Sequence, residues 1–83
     1  MDAVTISNVW LKGKIVSGYD PNIYRKDDYG WWMERKEYGN RQSQYGWEID
    51  HIIPSSKGGS DNITNLRQLN WYNNAKRQDD ITK

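Results

Sequence analysis

The sequence predicts a single small domain of the α+β class. Three observations lead there. The 83 residues contain no internal repeat, no low-complexity tract and no Ser/Gly/Pro-rich linker, so one unit is the economical reading. Short β-branched and aromatic runs, punctuated by glycines and two prolines, fill the first two thirds. Trp71 to Gln78 is the one stretch of convincing helical composition.

In chain order, Val4-Thr5-Ile6 and Trp10 to Val16 have the content of short strands, ended by the turn chemistry of Ser17-Gly18-Tyr19-Asp20-Pro21. Gly30 to Arg35 reads as another strand, Tyr38-Gly39-Asn40 as a turn, and Tyr45 to Ile52 as a strand in which Trp47, Ile49 and His51 alternate with Glu48, Asp50 and Ile52. Strict alternation puts Asp50 and His51 on opposite faces, so both serve one site only if the strand bends or ends there, as Pro54 allows. The loop Ser55 to Asn62 carries Gly58-Gly59 for a tight return. A short strand over Asn65 to Leu69 then leads to the helix, with Asn70 as its N-cap. Residues 1–44 form an N-terminal β-rich extension to a core at 45–79.

Composition excludes several classes. With no Cys there is no disulfide framework and no thiolate zinc site. A chain of this size buries only about 60–65% of its unfolded surface, so 5 Trp and 6 Tyr are expected to carry much of the packing. Trp10, Trp31, Trp32 and Trp47 are therefore read as core in preference to a base-stacking surface. A net charge of +1 argues against a polybasic protein. Arg25, Lys26, Arg35, Lys36 and Arg41 alternate with Asp27, Asp28, Glu34 and Glu37, which reads as a mixed solvated face. No basic segment precedes an apolar run at the N-terminus, and no stretch approaches the roughly 18–20 apolar residues of a membrane span. The expectation is a soluble, cytoplasmic protein with no membrane partner.

One constellation carries chemistry: Asp50-His51, Pro54, Gly58-Gly59, Asn65-Leu66, and Asn74 with Arg77 three residues on. Singly, each has a bland reading as a surface pair, turn, cap or solvated charge. Together, the stretch Gly46 to Asp61, with Asn65-Leu66 and Asn74-Ala75-Lys76-Arg77, closely resembles the HNH endonuclease family in its His-Asn-Asn form. The steps from His51 to Asn65 and from Asn65 to Asn74 recur in that family, including the HNH domains of CRISPR effector nucleases.

The resemblance implies a ββα-metal (His-Me finger) core that hydrolyses DNA phosphodiester bonds, leaving 3′-hydroxyl and 5′-phosphate ends, with RNA not excluded. It implies His51 as general base, since an imidazole can accept a proton near neutral pH, and Asn65 as the amide that orients the His51 loop. Asp50 and Asn74 become ligands of one divalent cation, Mg²⁺ or Mn²⁺, with Zn²⁺ or Ni²⁺ as alternatives; so sparse a site favours binding metal together with substrate. Arg77, and more weakly Lys76 and Arg67, become phosphate contacts. Many relatives hold a structural zinc through Cys-x-x-Cys pairs; the second pair falls at Asn70 and Asn73 here, so no structural zinc is expected. Asn73 followed by Lys76 offers a register one residue earlier, with spacing favouring Asn74.

One site cuts one strand, so a monomer is expected to nick, and a double-strand break needs a homodimer or successive events. The runner-up is a catalytically silent HNH-fold nucleic-acid-binding module or a subunit of a larger complex. A third reading is an aromatic protein-interaction domain. Phage packaging, defence, homing and delivery as a toxin remain equally open.

Overall fold

The computed structural model describes residues 1–82. The chain opens with α1 (Ala3–Trp10). Strand β1 (Tyr24–Lys26) pairs antiparallel with β2 (Trp32–Glu34). Strand β3 (Trp47–His51) pairs antiparallel with β4 (Leu66–Asn70), and α2 (Trp71–Thr82) follows directly. The two pairs form separate two-stranded sheets. The α+β class holds.

The first ten residues differ from the strand expected of them. Asp2 caps the helix, its carboxylate accepting from the Thr5 amide at 2.8 Å. Ile6, Val9 and Trp10 fall three and four apart and so share one helical face, on which Val9 and Trp10 are fully buried. The cap and this buried stripe outweigh the weak helix propensity of Val4-Thr5-Ile6. Between Trp10 and Val16 only Lys14 keeps a strand-like pairing, a bridge to Lys26.

The main core joins both halves. Val9, Trp10, Met33, Trp47 and Leu66 cluster, with Ile6 and Ile49 packed against them. The Trp10 and Trp47 rings lie 5.2 Å apart, and their indole N–H groups donate to Pro21 O and Arg35 O. Lys12 Nζ reaches across to the carbonyls of Ile63 and Leu66. Arg25, expected on a solvated face, is buried and donates to the carbonyls of Pro21, Leu11 and Gly13. Burial, with the nearby Arg35 charge, pulls its pKa below the ordinary arginine value.

Two glycines are fixed by space. A Cβ on Gly46 would sit 1.8 Å from Asn40 O, and one on Gly59 would sit 1.7 Å from Ile53 O. The second contact closes the loop between β3 and β4, and Gly58, at φ 87°, turns the chain into it. Asn70 caps α2, its Oδ1 accepting from Tyr72 N at 3.0 Å. The helix runs past the predicted Gln78 to Thr82. No described helix is long and apolar enough to cross a membrane.

Candidate active site on the second sheet and the last helix

The register of β3 against β4 sorts the site residues by face. Trp47 and Ile49 meet the core, whereas Glu48 and Asp50 face α2. Arg67 lies directly opposite Asp50 in the ladder, and its Nε donates to Asp50 Oδ2 at 2.9 Å. Arg77 approaches from α2, with Nε 3.0 Å from Oδ1 and 2.9 Å from Oδ2. Asp50 is only 1% exposed. A carboxylate so enclosed needs paired, hydrogen-bonded countercharge, and two guanidinium groups supply it.

The guanidinium groups of Arg67 and Arg77, expected to contact phosphate, are here engaged by Asp50. Arg77 Nη2 also donates to the carbonyls of His51 and Ile52, which ties the end of β3 to α2. Arg67 also bonds Asp28 and lies 5.6 Å from the Tyr29 ring. Burial opposes its charge, but the hydrogen bonds to Asp50, Tyr29 and Asp28 win, and its pKa is raised. Of the three basic candidates, Lys76 is the exposed one. It lines a cleft of about 410 Å³ with Tyr29, Lys57, Asn73, Arg77 and Asp80.

His51 ends β3 and turns to the loop, where its Nε2 lies 2.6 Å from Asp61 Oδ1. An ionised carboxylate only accepts, so Nε2 carries a proton, and Nδ1 is the nitrogen that a neutral ring leaves to accept one. Asn65 holds the same loop: its Oδ1 accepts from Ile53 N at 2.8 Å, and its Nδ2 donates to Ile53 O and Ser60 O. His51 and Asn65 are thus brought to one loop, while Asp50 points to the other side of the strand. Sequence alternation anticipated that separation.

Asn74, and not Asn73, faces β3. Its Nδ2 donates to Glu48 Oε1 at 2.8 Å, while its Oδ1 is buried without a hydrogen-bond partner. Asn73 turns away and donates to Asp27 Oδ2. Glu48 also accepts two bonds from Arg41, at 2.7 and 2.8 Å. Those bonds hold the Glu48 carboxyl below the usual carboxylate range against its partial burial, and the Asn74 amide adds to the effect.

The donor set suits a hard divalent cation in kind. Asp50, Glu48 and the orphaned Asn74 Oδ1 are oxygen donors on one face, and an unpartnered buried amide oxygen is the group a cation would satisfy. Asp50 reaches such an ion only by giving up contacts to Arg77 or Arg67. Among the described residues no cluster of three or more His, Cys, Asp or Glu side chains is poised for a metal.

Four residues that matter here were missed in sequence. Asp61 lay inside the motif without a role. Arg41 was read as part of a mixed solvated face, and Glu48 only as a position in the strand alternation. Asp27 was read as solvated, yet it is fully buried and accepts from the amides of Tyr29, Trp31 and Asn70 and from the Asn73 side chain. Its signal was the turn Asp27-Asp28-Tyr29-Gly30, in which an initial Asp binds the amides that follow.

Strands β3 and β4 with α2 across one face define a ββα finger whose loop presents a histidine. Residues 35–80, more than half of the chain, match the HNH endonuclease family. The chain belongs to that family, whose members are nucleases acting on nucleic acids and generally use a divalent metal. No curated protein and no solved structure matched the chain in the same comparisons.

Proposed function

We propose that the chain is a metal-dependent endonuclease that hydrolyses DNA phosphodiester bonds and, as a monomer, nicks one strand. The observation that carries this reading is His51, fixed through Nε2 by Asp61 at 2.6 Å at the mouth of the finger. The imidazole Nδ1 takes the proton of the attacking water, and Asp61 stabilises the imidazolium that forms. Asn65 keeps the loop, and with it His51, in one position. Asp50 and Asn74 would hold one divalent cation, Mg²⁺ or Mn²⁺, which would supply positive charge to the phosphate as its negative charge develops. Arg77 would serve as a phosphate contact. The cut leaves a 3′-hydroxyl and a 5′-phosphate, and the protein acts in the cytoplasm.

Conversion of supercoiled plasmid to nicked circles tests this, with Mg²⁺ or Mn²⁺ against EDTA, for the native protein and His51→Ala. Metal-dependent nicking that falls by about 10²–10⁴ in a folded His51→Ala supports the reading. An intact plasmid with folded native protein, or equal cutting by both proteins, overturns it.

The closed ion pairs at Asp50 favour a second reading, a silent nucleic-acid-binding module in which Arg67 and Arg77 permanently replace the cation. Salt-sensitive DNA binding with no cleavage in Mn²⁺ distinguishes it.

A further inference from the structure

The aromatic residues divide into two populations. Trp10 and Trp47 are core, but Trp31 is 44% exposed and Tyr72 49% exposed, and their rings stack at 5.1 Å with an interplanar angle of 3°. Beside them lie two adjoining clefts. One, of about 340 Å³, is lined by Gly30, Trp31, Trp32, Gln44, Tyr45 and Asn70. The other, of about 250 Å³, is lined by Tyr19, Tyr24, Trp32 and Tyr45. They share Trp32 and Tyr45, so ring follows ring from Tyr19 to the start of α2.

Ammonium groups flank this path, although Asp80 lines the third cleft beside Lys57 and Lys76. Neither of the two adjoining clefts has a carboxylate among its described lining residues. Lys26 Nζ sits 4.8 Å from the centre of the Trp32 ring. At the other end Lys76 follows Tyr72 by one helical turn, and Lys57 lines the same third cleft as Lys76. Flat ring faces flanked by ammonium groups complement a strand of bases and phosphates. Gln44 brings an amide that can both donate to and accept from a base edge.

We propose that this groove is a base-stacking track for unpaired nucleotides, so that the chain prefers nucleic acid with a single-stranded segment. The proposal rests on the nucleic-acid substrate of the nuclease reading and adds its structural class. Bases inside a duplex have their faces covered by neighbours and cannot lie on these rings. Asp27 positions the track relative to the finger: one carboxylate holds the amides of Tyr29 and Trp31 together with Asn70 and Asn73 at the head of α2.

Fluorescence anisotropy in EDTA, where cleavage cannot intervene, tests this with a labelled oligo(dT), an oligo(rU), an abasic strand of equal length and a duplex. Oligo(dT) should bind about tenfold tighter than the abasic strand and the duplex, and Trp31→Ala should remove about that tenfold, with Trp31→Phe restoring most of it. Equal binding of base-bearing and abasic strands, or no loss in Trp31→Ala, overturns the track. If Trp31→Ala fails to fold by circular dichroism, Tyr19→Ala, at a 51% exposed ring, gives the same decision. Tighter binding of oligo(rU) than of oligo(dT) keeps the track and makes RNA its strand. Plasmid nicking without single-strand preference sinks the track alone, and single-strand preference with no Mn²⁺-dependent cleavage of either plasmid or oligo(dT) sinks the nuclease alone.

Discussion

The two sheets have two strands each but are held by different forces. Strands β3 and β4 are closed on both sides, by Trp47, Ile49 and Leu66 against the core and by Asp50, Arg67 and Arg77 under α2. Strands β1 and β2 bury Met33 on one side and leave the other to rings in tilted and edge contact: Tyr19, Tyr24, Trp32 and Tyr45. Interlocked charges give the second sheet one arrangement. Open rings give the first a surface. A nuclease needs both, one region that holds reacting groups still and another that receives a substrate.

The sharpest way to break the contrast is to remove the buried carboxylate. Asp50→Ala leaves two guanidinium groups without their partner, and chemical denaturation should show a loss of about 3–5 kcal/mol. Asp50→Ala with Arg77→Met should recover part of it, because the stranded charge goes with its partner. On the first sheet, Trp31→Ala should shift stability by less than about 0.5 kcal/mol, since the ring is half exposed. Similar losses in both variants would mean that the two sheets are held alike.

Asn65 tests positioning on a smaller scale. Its side chain makes three hydrogen bonds within the loop, partly open to solvent. Asn65→Ala should lower stability by about 1–2 kcal/mol and speed hydrogen exchange at the Ile53 amide. Asn65→Asp keeps the acceptor for that amide and loses both donors, so its exchange should fall between the two. Nicking that drops in step with Ile53 exchange identifies a positioning role, whereas unchanged exchange would discard it.

Which parts were legible follows from the same contrast. The finger could be read because its residues recur at fixed spacing, from His51 to Asn65 to Asn74, and because alternation along β3 separates Asp50 from His51. The N-terminal helix could not, because Val4-Thr5-Ile6 looks like a strand until the Asp2 cap and the burial of Val9 and Trp10 are known. Long-range pairs were equally hidden. Nothing local links Asp27 to Asn70 and Asn73, yet its buried carboxylate fastens the head of α2 through bonds to both. Trp31, read as core, is 44% exposed, because composition counts aromatic rings and does not say which face water.

A smaller effect than that of Asn65→Ala sharpens the electrostatic side. Arg41 and Glu48 form a two-bond pair at the rim of the finger, with Glu48 also bonded to Asn74. Because folding lowers the Glu48 pKa, the unfolded chain binds its proton more readily than the native one. The stability this supplies is fully present above the ordinary carboxylate value of about 4.3 and is lost as pH falls through the lowered folded value. Glu48→Gln should therefore melt below the native protein at neutral pH, by about 0.5–1 kcal/mol or a few degrees. The two curves should converge in acid, and the gap should narrow in high salt. A gap unchanged by pH would assign the loss to packing against Asn74, and the carboxylate charge at the rim would then have no part in holding the finger closed.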